Sequence, residues 1–245
     1  MAVFVLVHPA WFGGWCWRDV VPKLRAAGHE VSTPTLTGLG EREHLLNRDV
    51  TLNTHVDDVV KSILFDDLHD ITLVGNSSGG TVITAVADRI PDRVATIVYL
   101  DAFVPGDGES TLGLIATDRS EALIAVAAAE GDGWLVPRWA PMPWDTIVRD
   151  IWRVTDDVKA DWVLSRLRPT PLAHLTDPVR LENADGLKAR RVYIRCPAGM
   201  PAPFDRWAAE AKSSPDWTYR ELPGSHIPFA TQPKELAELL LEVRE

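Results

Sequence analysis

Cysteine is nearly absent from the chain: Cys16 and Cys196 are the only two in 245 residues. Two cannot build a disulfide framework, and neither stands at a metal-ligand spacing, so both thiols are expected reduced and buried. No apolar run approaches the roughly 20 residues needed to cross a bilayer. The apolar N-terminus also lacks the basic leader and small-residue cleavage site of a secretory signal, which points to a cytoplasmic protein. Positive charge is in deficit, with 25 Lys and Arg against 35 Asp and Glu and a net charge of -10. Nucleic acid and anionic membrane would both repel such a chain and are excluded as partners. Internal repeats, low-complexity segments and linkers are missing too, so one domain over 1–245 is expected, with 46% hydrophobic residues to fill its core.

What the chain does have is alternation. Ala2 to Val7 is a short apolar run rich in valine, and with His29 to Thr33, Asp70 to Val74, Val94 to Leu100, Arg191 to Cys196 and Thr218 to Leu222 it reads as one of six strands. Amphipathic helices lie between most of them. One carries Trp17, Val20, Val21 and Leu24, with Pro22 in its first turn and Gly28 as its stop. Another carries Val56, Val59, Val60, Ile63 and Leu64 behind a cap at Thr54, and the last begins at Pro233 and buries Leu236, Leu239, Leu240 and Val243. Strands alternating with helices imply right-handed crossovers and an α/β, doubly wound, mostly parallel six-stranded sheet that binds ligands at its carboxyl edge. From about 103 to 187 the alternation stops. Helical segments and the Trp-rich stretch 133–144 read there as a helical cap inserted between core segments 1–102 and 188–245.

Between the third strand and the next helix stands Gly75-Asn76-Ser77-Ser78-Gly79-Gly80. Gly75, Ser77 and Gly79 fit G-x-S-x-G, a strand-turn-helix elbow that lifts a serine oxygen above the sheet edge. Register selects Ser77, since Ser78 at the centre would require glycine at Asn76. The helix starting beneath that oxygen offers free N–H groups and a positive dipole end to a developing anion. His226, after the sixth strand, falls on the same edge and supplies the base that a serine nucleophile needs. Asp101 ends the fourth strand and is the favoured acid. Asp205, in a helix first turn, competes with it. His8 ends the first strand, where an orienting hydrogen bond suits it better than proton transfer. His29, His55, His69 and His174 read as structural or solvated, and Glu41, Arg42 and His44 as a charged loop near the sheet edge. Trp11, Phe103, Trp134, Trp139, Trp144 and Trp152 are the candidate walls of an apolar substrate pocket.

Val7-His8-Pro9-Ala10-Trp11, Gly14-Trp15-Cys16-Trp17, the elbow, Leu100-Asp101-Ala102-Phe103-Val104-Pro105 and His226 together resemble the α/β-hydrolase superfamily. More narrowly, they are similar to the small esterases grouped with plant methylesterases, hydroxynitrile lyases and bacterial salicylate- or pyrethroid-type carboxylesterases. The resemblance implies Ser77 as nucleophile, His226 as base, and an oxyanion hole from the N–H groups of Ala10 and Ser78, with no cofactor or metal. It also exposes departures. Pro9 replaces the family's usual glycine or threonine, Gly199 stands near the place where many relatives carry the acid, and Ile227 replaces the lysine of the hydroxynitrile lyases. The expected function is serine hydrolysis of a small to medium carboxylic ester with an apolar or aromatic group, through an acyl-enzyme. A cofactor-free lyase or C–C bond enzyme, or a non-catalytic ligand-binding descendant, is the alternative. The expected partner is a small-molecule ester, and a homodimer is compatible with the composition.

Overall fold

The computed structural model describes residues 2–139, 142–183, 188–198 and 203–244. Six strands form one sheet: β1 (Val3–Val7), β2 (Glu30–Ser32), β3 (Ile71–Ser77), β4 (Val94–Ala102), β7 (Arg190–Arg195) and β8 (Trp217–Glu221). Their order is β2-β1-β3-β4-β7-β8, and every pairing is parallel. The expected six-stranded doubly wound sheet is the observed one. Its two faces follow from the period of two along each strand. Phe4 and Leu6 of β1 point into one apolar cluster and Val5 and Val7 into the other.

Helices α1 (Val21–Ala26) and α10 (Pro233–Glu242) cover the first face through Leu24, Leu236 and Leu240. The second face is covered by α2 (Leu52–Phe65), α3 (Gly79–Arg89) and α8 (Asp205–Ser213), through Val56, Val59, Val82, Ile83, Trp207 and Ala211. The cap of α2 differs from expectation. Thr51, not Thr54, is the N-cap residue, and the two hydroxyl groups form a reciprocal capping box with each other's backbone N–H. Thr54 falls inside the first turn and reaches back.

Between β4 and β7 lie α4 (Thr117–Glu130), α5 (Trp144–Thr146) running on into a π-helical turn at Ile147–Ile151, α6 (Asp157–Leu164) and α7 (Leu172–Thr176). This segment also holds a small antiparallel pair, β5 (Leu135–Val136) with β6 (Thr170–Pro171), in addition to the expected helices. Strands of two residues carry no periodicity to read, and their partners are far apart in sequence. After β8 the chain turns through His226 into α9 (Pro228–Thr231). Among the described residues no helix is long and apolar enough to cross a membrane.

Candidate active site

β3 runs on to Ser77 and α3 begins at Gly79, so the chain reverses within one turn. Ser77 is held at φ +54, the left-handed region that a residue with a side chain adopts at a cost. Its neighbours must stay bare to permit this. A Cβ on Gly75 would stand 2.7 Å from the Gly79 carbonyl oxygen, and one on Gly80 only 2.1 Å from that of Phe103. Both obstacles are backbone and cannot swing aside. Gly80→Ala is therefore expected to destabilise the fold by about 3 kcal/mol, the upper end of the usual overpacking cost. The check is the urea midpoint, and an unchanged midpoint would show that the elbow relaxes.

Asp101 reaches the edge beside Ser77 by a different device. In the β3–β4 register Asn76 faces Leu100 and Ser77 faces Ala102, so Asp101 is an extra residue with no partner. A bulge of this kind bends its strand and re-aims a side chain. The residue sits at φ +44 and is fully buried. Its Oδ2 accepts a hydrogen bond from His226 Nδ1 at 2.6 Å. Its Oδ1 accepts from Arg195 Nη1 at 2.6 Å and from the Cys196 N–H at 3.1 Å. Since the carboxylate can only accept, the His226 proton sits on Nδ1 and leaves Nε2 with its lone pair free for a hydroxyl.

The loop bearing His226 is fixed independently of Asp101. Buried Asn76 donates from Nδ2 to the Leu100 carbonyl at 2.8 Å and to the His226 carbonyl at 3.1 Å, tying the end of β4 to the histidine. Phe204 stacks on the imidazole with centroids 5.0 Å apart, and Ser225 Oγ donates to the Trp152 carbonyl. Asp205, the competing acid, is elsewhere in the network. It is two-thirds exposed and accepts from Arg195 Nε at 2.9 Å, behind the guanidinium that Asp101 holds from the other side. Gly199 lies outside the described residues.

Ser77 and His226 open onto one narrow apolar cavity. Trp11, Phe103, Trp139 and Trp152 line it, together with Pro9, Ala10, Phe12, Ile147, Ile151, Pro203, Phe204 and Ile227. Two expected wall residues stand elsewhere. Trp134 lies in a separate surface groove, with the Arg48 guanidinium over its ring at 5.3 Å. Trp144 backs the wall, packing edge-on against Trp11 and tilted on Trp152 while its Nε1 donates to the Pro137 carbonyl at 3.1 Å. The aliphatic residues Ile147, Ile151 and Ile227 carried no signal in the sequence that separates a pocket wall from ordinary core. Arg42 turns away from the cavity, to Asp58 and the Thr35 carbonyl.

The oxyanion candidates sit at the mouth of α3 and in the loop after β1. The Ala10 N–H donates to Ser78 Oγ at 2.8 Å, and the next N–H, of Trp11, donates to Thr170 Oγ1 at 2.6 Å. Ser78 Oγ in turn lies 3.1 Å from His174 Nε2. His174 Nδ1 lies 2.8 Å from His55 Nδ1, and His55 Nε2 is 2.9 Å from the Thr37 carbonyl. On the other side of the loop His8 accepts the Leu36 N–H on Nε2 at 3.1 Å and donates from Nδ1 to the Pro9 carbonyl at 2.9 Å. All three histidines are completely buried. Burial lowers the pKa of His8 to about 3, that of His55 to about 4 and that of His174 well below its usual value. The orienting bonds of His8 match the sequence reading. The link of His55 and His174 to the elbow was not foreseen.

Cys16 and Cys196 are free and buried, and burial pushes both thiols well above their ordinary pKa. Among the described residues no group of three or more His, Cys, Asp or Glu could hold a metal ion.

The chain resembles known proteins along its whole length. It is 41% identical over 248 residues to a carbendazim hydrolyzing esterase of Nocardioides sp. (strain SG-4G), covering 98% of each chain. Methylesterase 7 of Arabidopsis thaliana is 26% identical over 251 residues, covering 99% of this chain and 96% of that one. Among solved structures, an extracellular alpha/beta-hydrolase from a Paenibacillus species, described as sharing structural and functional homology with tobacco Salicylic Acid Binding Protein 2, superposes with a TM-score of 0.86 at 27% identity, over 99% of this chain and 98% of its own. The profile of the alpha/beta hydrolase family matches residues 4–239, and with the parallel sheet, the serine elbow and the relatives in agreement, the chain belongs to that family.

Proposed function

We propose that the chain is a serine esterase in which Ser77 attacks a carbonyl carbon, His226 takes the hydroxyl proton and returns it to the leaving group, and Asp101 holds the imidazole in the required tautomer. The observation that carries this reading is the His226–Asp101 pair at 2.6 Å, opening onto the same cavity as the strained elbow serine. The N–H groups of Ser78 and Ala10 stabilise the oxyanion, a contribution of about 3 kcal/mol per donor in enzymes where one has been removed. Water activated by the same histidine then cleaves the acyl-enzyme.

The walls select the substrate. Ser77 and His226 are the only polar side chains among the described lining residues. An ionised substrate would lose its hydration there and find no counter-charge, so the acyl or leaving group is neutral. Rings of Trp11, Phe12, Trp139 and Trp152 suit a flat aromatic group. Similarity to the carbendazim hydrolyzing esterase supports the same choice, because carbendazim is a neutral methyl carbamate of a flat heteroaromatic amine. Attack on its carbonyl expels methanol and leaves a carbamoyl group on Ser77. Hydrolysis frees a carbamic acid, which loses CO2 to give the amine.

Two measurements test this. A fluorophosphonate should add once per chain, with the mass shift on the peptide containing Ser77, and carbendazim should be turned over to its amine. Absence of both, on folded protein and across a panel of neutral aryl and methyl esters, would remove the esterase reading.

A further inference from the structure

The Pro9 carbonyl and the Ala10 N–H belong to one peptide plane, and both ends of that plane are held from inside the protein. His8 Nδ1 donates to the carbonyl at 2.9 Å, and Ser78 Oγ accepts the N–H at 2.8 Å. Proline fixes its own φ near -65°, which leaves rotation of the Pro9–Ala10 peptide as the freedom that decides whether an N–H or a carbonyl faces the elbow. A carbonyl there would repel the anion that the N–H is needed to hold.

Proton counting shows why Ser78 must act as an acceptor towards Ala10. At the far end of the chain the Thr37 carbonyl accepts, so His55 carries its proton on Nε2 and presents a lone pair at Nδ1. His174 must then donate from Nδ1 and accept at Nε2. The Ser78 hydroxyl is left to donate to His174 and to turn a lone pair towards the Ala10 N–H. The polarity is set at an anchored point, because Thr37 N–H and Oγ1 both bind Asp58, at 2.6 and 2.9 Å. Reversing it would face the His55 Nε2 lone pair against the Thr37 carbonyl oxygen. Burial keeps both rings neutral, and a second proton on either would oppose two N–H groups across the 2.8 Å contact.

We propose that Ser78 Oγ, His174 and His55 form a one-way hydrogen-bond relay which, with His8 opposite, clamps the Pro9–Ala10 peptide with its N–H turned to the elbow side and resting on Ser78 Oγ, where an oxyanion formed at Ser77 takes a share of it. Ser78 contributes its backbone N–H to the hole, whereas its side chain, His174, His55 and His8 are positioning residues that touch no substrate. The relay crosses from the elbow to α7 and α2, so it joins the oxyanion loop to the segment that covers the cavity. This inference rests on the esterase reading above.

The experiment compares wild type with Ser78→Ala, His174→Leu, His174→Gln, the double variant Ser78→Ala/His174→Leu, and Ser77→Ala, using p-nitrophenyl butyrate. A mispositioned donor is felt when charge develops, so Ser78→Ala should lower kcat about 10- to 100-fold while KM stays within about twofold. His174→Leu should match it, the double variant should be no worse than either, and His174→Gln, whose amide oxygen can still accept, should recover most of the loss. Long-range 1H–15N spectra of the wild type should place one proton on His174 Nδ1 and one on His55 Nε2, a readout that needs no variant to fold. The opposite tautomer on either ring, a Ser78→Ala enzyme with unchanged kcat, or a loss confined to KM would each overturn the relay. If Ser77→Ala is inactive while Ser78→Ala is unaltered, this inference fails alone. If Ser77→Ala keeps its activity, the esterase reading falls first.

Discussion

Asp101→Asn should lower kcat by about 10⁴, the cost measured for a triad aspartate in a serine protease, while Asp205→Asn should change it only a few-fold. Asparagine keeps the shape of the side chain but brings its own N–H groups to the His226 ring. Wherever the amide donates, Nδ1 must accept, the imidazole proton moves to Nε2, and the ring can no longer take the Ser77 hydroxyl proton. Asp205 has no such leverage. Its carboxylate meets Arg195 from the solvent side, and Arg195 keeps Asp101 and the Cys196 carbonyl when Asp205 is neutralised. Removing Asp101 also leaves a buried guanidinium with less compensation, a loss that for broken buried pairs runs to about 3–5 kcal/mol. Activity must therefore be compared on protein shown to be folded by circular dichroism and still able to bind an apolar ligand in the cavity. The reverse ranking, with Asp205→Asn the inactive variant, would move the acid to the helix after β7.

Asp101 was legible in the sequence only as an aspartate ending a strand. What brings it to His226 is the bulge, and a bulge is a property of register between two strands, invisible in either one alone. The serine elbow was legible because its requirement is local: bare backbone at Gly75, Gly79 and Gly80 and a helix directly behind. The central strands β1, β3, β4 and β7 were legible for a similar reason, since burial on both faces leaves apolar runs, whereas the edge strands β2 and β8 are only partly buried and were placed by the alternation around them. Boundaries were less so. β3 continues three residues beyond Val74 into the elbow, because its pairing with β4 persists to Ser77.

Tryptophan proved a coarse guide to the pocket. Four of the six aromatic residues chosen from the sequence line the cavity, while Trp134 and Trp144 serve the groove and the backing layer. A large ring is favoured in any core, so composition could not separate wall from buttress. The histidines are a different case, since a structural reading of His55 and His174 left open what they hold. His55 shares a helix face with Val59 and Ile63, spaced by four, which marks it as core-facing. That signal was in the sequence. The contact between His55 and His174 was not, because it joins α2 of the core to α7 of the inserted segment, 119 residues further along the chain.

Those buried histidines make the fold itself sensitive to acid. Their pKa values are lower in the folded chain than the ordinary 6.5, to about 3 for His8 and about 4 for His55, with His174 well below. Below pH 6.5 the unfolded chain binds protons that the folded chain refuses, so stability is full above that pH and is lost as pH falls towards the folded values. The loss is about 2 kcal/mol by pH 5 for each of His8 and His55, and His174 adds a loss of the same sign. Charges nearby do not reverse the sign. Burial is the largest influence on each ring. Asp58 raises and Arg42 lowers the His55 value by smaller amounts, and the Pro9 carbonyl raises that of His8. Neighbouring histidines add to the depression, His55 acting on both His8 and His174, and His8 on His174. A typical domain has only about 5–15 kcal/mol in hand, so the urea midpoint should fall steeply between pH 7.5 and pH 5, and most of the fold should be lost near pH 4. Replacing His174 by Gln should make that slope shallower, because one proton-refusing site is gone, whatever it does to stability at pH 7.5. A midpoint that stays flat from pH 7.5 to pH 5 in the wild type would mean that the three rings take up protons in the folded chain, and that the clamp on the Pro9–Ala10 peptide opens in acid before the protein unfolds.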